Sequence, residues 1–363
     1  MDREETWPRV SGGRSATLKD VAGAAGVTTT TVARVLKESG YVAESTKARV
    51  LEAVATTGYR PNSLARSLRQ SRSHVIGHLL KSTVPNPFYV EVARGAEEEA
   101  RTRGYTILTA NVQHDAETER RAVETFLGWR ADGLVFSTPS DPANVEYAQS
   151  LGVPTAQVER PRSLVGHRLV VRNYPSAVAA MRHLVEFGHR RIAYVGAELL
   201  PEDGPAALFG YVERERFGAW RDVIRDIGAA TEGLARFGEA YTIDQPTAQG
   251  HGYRATQALL QAADRPTAIF ASNDILAAGA LQAIHEAGLR CPDDISVVGF
   301  DDTLAGFLTP LLTSVRLPAR RLGATAVRLV IDEIEGKGAP DQHLALDAEL
   351  VLRRSTATAP TRR

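Results

Sequence analysis

Residues 17 to 36 of the chain read TLKDVAGAAGVTTTTVARVL. Thr17 precedes the first helical segment and can cap its amides. The next positions repeat apolar residues at i, i+3, i+4 and i+7, which is one face of a helix: Leu18, Val21, Ala22 and Ala25. Gly26 interrupts this pattern, and Thr28 is a good N-cap for a second helix, which buries Val32, Val35 and Leu36. Two short helices joined by a glycine turn indicate a helix-turn-helix.

The outward face of the second helix carries side chains suited to DNA. At 100° per residue this face and its flanks hold Thr29, Thr30, Thr31, Ala33, Arg34 and Lys37. Thr and Arg can hydrogen-bond to base edges in the major groove, and methyl groups can contact thymine. We expect base contacts from Thr29, Thr30 and Arg34. The alternative interpretation is a solvated helix face.

The following residues resemble a known family. A third helix is expected from about Ala43 to Thr57, with Gly58 as its C′ residue. The segments TLKDVAGAAGV, TTVARVL, VLEAVATTGYRPN and LARSLR lie between residues 17 and 80. Together they resemble the DNA-binding headpiece and hinge of the lac-repressor-like (LacI/GalR) family. That family usually has Ser where Ala43 stands, and losing this cap costs about 1 kcal/mol unless Glu44 or Ser45 substitutes.

The resemblance implies a set of DNA-contacting residues. Residues 62–69 have a helical composition but are too few to hold a helix alone in water. In the family this segment orders in the operator minor groove, where Leu68 would wedge between base pairs and kink the DNA. For Leu68 the alternative is a linker residue packed on the body. The implied DNA-binding set is Thr17, Thr28, Thr29, Thr30, Thr31, Arg34, Tyr59, Asn62, Ala65, Arg66, Leu68 and Arg69.

From His74 onward the pattern alternates between strands and helices, which predicts doubly wound α/β lobes. We expect strands at 75–80, 105–111, 133–137, 153–158, 169–171, 191–196, 267–272 and 296–301. Helices are expected at 88–103, 117–128, 177–187, 213–227, 274–287 and 319–336. The motifs FGHRRIAYVG and DDISVVGFDDT extend the resemblance. It implies an all-α helix-turn-helix headpiece followed by a two-lobed, periplasmic-binding-protein-like (type I) effector domain with three crossings between lobes.

The expected domain boundaries follow from these patterns. Residues 1–16 form a disordered arm, 17–60 the DNA-binding domain, 61–73 the hinge helix and linker, and 357–363 a tail. Residues 74–356 form the effector-binding and dimerisation domain. Its lobe 1 comprises about 74–173 and 319–346, and its lobe 2 about 174–318 and 347–356.

Ligands of open α/β sheets bind at the carboxyl ends of the strands. Asn273 and Asp301 lie at the ends of predicted strands, and we expect Arg216 to open a helix. The resemblance implies that these three residues hold the hydroxyls of a sugar-like effector. The alternatives are a turn cap for Asp301 with Asp302, and pairing of Arg216 with Asp222 or Glu213. The remaining effector-binding candidates are Phe88, Tyr89, Tyr241 and Arg160. Many family members have Asp where Arg172 stands, so an anionic effector becomes plausible.

Composition and charge fit this interpretation. The chain has 363 residues and no net charge, but residues 14–73 hold ten Lys and Arg against four Asp and Glu. A basic amino end suits a polyanion-binding headpiece. The chain shows no signal-like or membrane-length apolar segment, so we expect a cytoplasmic, nucleoid-associated protein. No metal site, cofactor or catalytic constellation is expected, and therefore no enzyme. Residues 250–255 fit G-x-G-x-x-A, but no apolar strand precedes them, so we expect a loop entering a helix.

The function expected is a sequence-specific transcriptional regulator, in the form of a repressor, whose operator affinity depends on a small carbohydrate-like effector. The expected partners are a palindromic operator and a second copy of the chain. The apolar residues of the 276–287 helix are candidates for the dimer interface, and no leucine heptad follows Ser355 to build a tetramer. The alternative is a sugar-binding protein of a transport system.

Overall fold

The computed structural model describes residues 16–36, 39–59, 72–80, 87–112, 115–159, 165–197, 210–238 and 247–361. It divides into two compact units, Met1–Ser73 and His74–Arg363. Several residues predicted to bind DNA or effector lie outside the described residues: Asn62, Ala65, Arg66, Leu68, Arg69, Arg160 and Tyr241.

The first unit is a small helical domain that confirms the predicted helix-turn-helix. Its helices are α1 (Leu18–Ala25), α2 (Thr29–Leu36) and α3 (Glu44–Thr57). Its core centres on one valine from each helix, and Val21, Val32 and Val50 are fully buried. Leu36 is only half-buried, less than the sequence predicts. Gly26 ends α1 in the left-handed conformation with φ 63°, which glycine adopts without strain.

The headpiece helices are capped unequally. Thr17 and Asp20 form a capping box at α1, in which the Thr17 amide donates to the Asp20 carboxylate at 2.7 Å. By contrast, no side chain caps α3 at Ala43, so neither neighbour replaces the missing serine. Gly58 closes α3 with φ 63°, as predicted.

The second unit contains two six-stranded sheets with the same strand order. The first sheet runs β11-β5-β4-β3-β1-β2 and the second β12-β10-β9-β8-β6-β7. All the described strand pairs are parallel except β10 with β12. The strands are β1 (Val75–Leu80), β2 (Thr106–Asn111), β3 (Gly133–Ser137), β4 (Thr155–Val158), β5 (His167–Val171), β6 (Ile192–Gly196), β7 (Ala235–Phe237), β8 (Ala268–Ala271), β9 (Ser296–Asp301), β10 (Thr313–Arg316), β11 (His343–Leu346) and β12 (Glu349–Val351).

Helices cover these sheets and define two lobes. Lobe 1 is built on the first sheet with α4 (Phe88–Thr102), α5 (Ala116–Gly128), α6 (Pro142–Ser150) and α11 (Ala319–Ile334). Lobe 2 is built on the second sheet with α7 (Asn173–Glu186), α8 (Tyr211–Asp226), α9 (Thr247–Leu260) and α10 (Asp274–Glu286). The two-lobed α/β architecture predicted from the alternating pattern is therefore confirmed.

Glycines allow two helix pairs to cross closely. In lobe 1, a Cβ on Gly95 of α4 would lie 2.0 Å from the Arg320 carbonyl oxygen of α11. In lobe 2, a Cβ on Gly252 of α9 would lie 2.2 Å from the Leu276 carbonyl oxygen of α10. The G-x-G-x-x-A segment at 250–255 thus lies inside α9 and is not the loop that the sequence suggested. Its second glycine serves helix packing.

Several short elements of the structure have no recognisable pattern in the sequence. The patterns did not predict α6, β7, β10, β11 or β12, most of which are short or half-exposed. Helix α8 begins at Tyr211, so Arg216 lies in its second turn and does not open it.

The chain crosses between lobes three times, between β5 and α7, between β10 and α11, and between β11 and β12. Two crossings are joined by Arg172, whose amide donates to the Leu346 carbonyl at 3.0 Å. After β12 the carboxyl end of the chain packs on lobe 2. Ser355 donates to the Val297 carbonyl at 2.6 Å, and the Ala359 amide donates to Phe187 at 2.7 Å. In the part of the chain that the structure describes, no helix is long and apolar enough to cross a membrane.

Candidate DNA-binding face and effector site

In the headpiece, the start of α2 separates capping residues from outward-facing ones. The Thr28 hydroxyl accepts from the Thr31 amide at 3.2 Å and shares a 3.0 Å hydrogen bond with the Thr31 hydroxyl. Thr29, Thr30 and Arg34 are exposed on the helix. The arrangement presents a guanidinium and two hydroxyls on one exposed helix, which is chemistry that major-groove base edges accept.

Other headpiece candidates hold the fold. The Thr17 hydroxyl donates a hydrogen bond to the Asp20 carboxylate at 2.7 Å. Tyr59 is half-buried against the headpiece core. One residue that the sequence analysis missed is Tyr41, which is 93% exposed after the glycine of the α2–α3 loop. An exposed phenol can donate a hydrogen bond to a phosphate.

In the second unit, polar side chains meet where the strands of both sheets end. Arg216 is 6% exposed and stacks its guanidinium on the Phe300 ring, 3.9 Å from the centroid. Its Nη2 lies 3.2 Å from Asp301 Oδ1 and its Nη1 donates to the Ser272 carbonyl at 2.5 Å. Arg216 therefore pairs with Asp301 and with neither Asp222 nor Glu213 at salt-bridge distance, so the predicted pair Arg216 and Asp301 does lie together.

Asn173 and Glu159 complete this group, and the sequence analysis missed both. Asn173 Oδ1 accepts from Arg216 Nε at 3.1 Å and Nη2 at 3.0 Å. Its Nδ2 donates to Glu159 Oε2 at 3.5 Å. Glu159 follows β4 in lobe 1 and accepts from the Val171 amide at 2.8 Å. Burial raises the pKa of Glu159 to about 7, while Val171 and Arg216 oppose the shift.

We name the group Glu159, Asn173, Arg216, Phe300 and Asp301 the cleft cluster. It joins the carboxyl end of β4 in lobe 1 to the carboxyl end of β9 in lobe 2. Its members are nearly or completely buried. Because the cluster spans both lobes, a ligand that competes for its hydrogen bonds also acts on the arrangement of the lobes.

The aromatic candidates of lobe 1 lie at the start of α4. Tyr89 is half-buried and shares a 3.1 Å hydrogen bond with Thr138, the residue after β3. Burial raises the pKa of Tyr89 to about 12, so the phenol stays protonated. Phe88 is 4% exposed and belongs to the hydrophobic core. Tyr89 therefore has the better position to face a ligand.

Asn273 has a structural task as well. Its side chain caps α10 by accepting from the Leu276 amide at 2.9 Å. The next residue, Asp274, accepts from the amides of residues 303, 304 and 305 at 2.8–3.2 Å and from Ser314 at 2.6 Å. Burial raises the pKa of Asp274 to about 7. This pair fixes the loop that follows Asp301.

Arg172 lies outside the cleft cluster. Its Nε is 3.2 Å from Asp347 Oδ1, and the two side chains are 56% and 85% exposed. The ion pair joins the β5–α7 crossing to the β11–β12 crossing. Arg172 therefore pairs with a surface carboxylate and is not one of the residues that the cleft cluster brings together.

The apolar face of α10 is buried within lobe 2. Leu276, Ala280 and Ile284 are 1%, 0% and 1% exposed, because α10 packs on α9 and on β8 and β9. The expectation that these side chains form the dimer interface is therefore wrong for Leu276, Ala280 and Ile284. Exposed apolar side chains of lobe 2 lie instead on the 303–312 loop and beside it: Phe307 at 87%, Leu311 at 41% and Leu352 at 60%.

Within the described ranges, no group of three or more His, Cys, Asp or Glu side chains is arranged to hold a metal ion.

The chain is similar to known proteins along almost its whole length. Residues 17–62 match the family model for bacterial regulatory proteins of the lacI family, and residues 181–356 match a periplasmic binding protein-like domain. The chain is 32% identical to the transcriptional repressor PurR of Mannheimia succiniciproducens, with 94% of this chain and 98% of the relative covered. It is 34% identical to the ribose operon repressor of Halalkalibacterium halodurans, with 94% and 97% covered.

Solved structures give the same picture. The lac repressor dimer bound to operator and the anti-inducer ONPF superimposes with a TM-score of 0.78 at 26% identity, covering 95% of this chain and all of that one. A regulator bound to cellobiose, CelR, gives a TM-score of 0.66 at 27% identity, with 94% and 99% covered.

Proposed function

The chain belongs to the lacI family of bacterial regulatory proteins, and we propose that it represses transcription by binding a palindromic operator with its headpiece. The observation that carries this function is the end-to-end match to named repressors, including the headpiece. A transport protein would have no use for a helix-turn-helix with an exposed Arg34. The operator-reading residues proposed are Thr29, Thr30 and Arg34, with Tyr41 and Lys or Arg side chains on phosphates.

The effector proposed is a small hydroxyl-bearing molecule that binds at the cleft cluster and Tyr89. Relatives and structural neighbours are named for ribose or described with cellobiose, which supports a carbohydrate-like class. Asp301 and Asn173 offer acceptors and donors for hydroxyl groups, and Tyr89 adds an aromatic face. Arg160 and Tyr241 remain proposed contributors. Because the cluster spans both lobes, effector binding changes their arrangement and thereby operator affinity.

The assembly proposed is a homodimer, as a palindromic operator requires two headpieces. In place of α10, we assign its lobe 2 interface to the exposed apolar patch Phe307, Leu311 and Leu352. The location proposed is the cytoplasm, with the DNA it regulates. The domain limits proposed are residues 17–60 for the headpiece and 61–73 for the hinge.

Selection of binding sites from random duplex DNA with the full-length protein tests the function. A repressor of this kind enriches one palindromic sequence at physiological salt. Enrichment of no sequence above background, with salt-sensitive binding to every duplex, would contradict it.

A further inference from the structure

The charged side chains of the proposed effector site restrict the class of ligand that can bind there. Arg216 is the arginine of the cleft cluster, and most of its N–H groups already have partners within the protein. Nε and Nη2 donate to Asn173, Nη1 donates to Ser272, and Nη2 pairs with Asp301. An incoming phosphate or carboxylate would have to replace these partners and would then sit beside the released Asp301 carboxylate.

Carboxyl groups outnumber that guanidinium around the cluster. Glu159 and Asp301 are members, and Glu213 is buried one helical turn before Arg216. Glu213 accepts from the Tyr194 phenol at 2.5 Å. The charged and titratable groups that face Glu159 are Arg216 of α8, Asp301 of β9 and Tyr89 of α4. Among the described residues the site is therefore rich in acceptors, and the Arg216 guanidinium is already paired with a carboxylate.

Resting on this effector site, we propose that the effector carries no phosphate or carboxylate, and that Glu159 receives a hydrogen-bond donor of the ligand, with an amine preferred to a hydroxyl. Glu159 makes one 2.8 Å hydrogen bond to a backbone amide and one 3.5 Å contact with Asn173, and it lies at salt-bridge distance from no cation of the described residues. A ligand ammonium would supply the charge partner that this buried carboxylate lacks. The same carboxylate repels an anion.

The test uses the full-length protein and matched probes. Thermal shift and calorimetric titration compare D-ribose with ribose 5-phosphate, and D-glucose with D-glucosamine and D-glucuronate. Inorganic phosphate is titrated separately at constant ionic strength. We expect the neutral or amino member of a series to bind at least tenfold more tightly than its anionic member, and inorganic phosphate to leave Tm unchanged.

Glu159→Gln supplies the specific readout, and Glu186→Gln, an exposed position on α7, is the matched control. In the parent protein the affinity of an amino sugar rises as pH increases from 6 to 7, because Glu159 loses its proton while the ligand amine still carries its own. Glu159→Gln abolishes this rise, and the control retains it.

The possible results distinguish a wrong charge preference from a wrong effector site. Tighter binding of the phosphorylated or carboxylated member, or stabilisation by inorganic phosphate that Arg216→Lys removes, would overturn the charge preference and leave the effector site standing. If no probe shifts Tm and none changes operator binding, the effector site itself is overturned, and the charge preference with it.

Discussion

At the scale of single residues, the side chains proposed for function are held by partners distant in sequence. Arg216 meets Asn173 from 43 positions away, and Asp301 from still further. The sequence pattern predicted Arg216 and Asp301 because each stands at a recognisable motif. It missed Glu159 and Asn173, because only the tertiary fold brings the ends of β4 and β9 together.

Arg34→Ala tests base reading. We expect a loss of about 1–3 kcal/mol in operator binding and relaxed preference at one base pair, since a guanidinium reads one guanine edge. Arg49→Ala, at another exposed arginine of the headpiece, is the control and changes no base preference. Binding titrations on single-base operator variants make the measurement. A uniform loss across all variants would make Arg34 a phosphate contact.

The Glu159→Gln substitution should also change how the free energy of unfolding depends on pH. Burial raises the Glu159 pKa from 4.5 to about 7, so the folded protein binds this proton more tightly than the unfolded chain does. Its contribution therefore lowers the free energy of unfolding as pH rises from about 4.5 to 7, by at most about 3 kcal/mol. Urea unfolding at several pH values should show a smaller decline in the variant. Parallel curves for the two proteins would contradict the shift.

At the scale of elements, buried apolar runs were the most predictable. The strands Val75–Leu80, Gly133–Ser137 and Ser296–Asp301 begin and end where the sequence predicts, because each is an almost fully buried run. The three-residue strands β7 and β12 are half-exposed and gave no such signal. Helix α9 was missed at its start because its glycines resemble a loop, although Gly252 is there for a close helix crossing.

Gly252→Ala tests that crossing. The added Cβ would lie 2.2 Å from the Leu276 carbonyl oxygen, so α9 and α10 must move apart. We expect a loss of about 1–3 kcal/mol in the free energy of unfolding. Gly250→Ala is the control in the same helix, where the added Cβ meets only the end of the Arg254 side chain at 3.4 Å. Helix propensity alone would stabilise that control by up to about 1 kcal/mol. Equal effects of the two variants in urea unfolding would contradict the close crossing.

At the scale of the whole molecule, the proposed dimer and its coupling to DNA can be tested separately. Phe307→Asp places a charge in the exposed patch of lobe 2, and sedimentation at micromolar concentration should show monomers with weakened operator binding. Leu151→Asp, at a 56% exposed leucine of lobe 1, is the matched control and should stay dimeric. A dimeric Phe307→Asp variant would place the interface elsewhere.

The hinge and the effector site should respond in opposite ways. Leu68→Ala should lower operator affinity about tenfold and reduce DNA bending, because the apolar wedge is lost. Its effector affinity without DNA should match that of the parent protein. Asp301→Ala should bind operator normally and no longer respond to effector. Titrations of operator with and without effector decide this, and an effector response like that of the parent would disprove the role of Asp301.

The strand order has a consequence for synthesis on the ribosome. The headpiece helices are complete once residue 57 has been made, and Tyr59, which packs against the core around Val21, Val32 and Val50, follows two residues later. Lobe 1 begins at β1 but receives α11 and β11 only when residues 319–346 arrive. Until then its nascent sheet lacks the helix that covers β3, β4 and β5. A translating ribosome therefore displays a finished DNA-binding domain well before the body that regulates it can fold, and chaperones would meet the apolar face of lobe 1 during that interval.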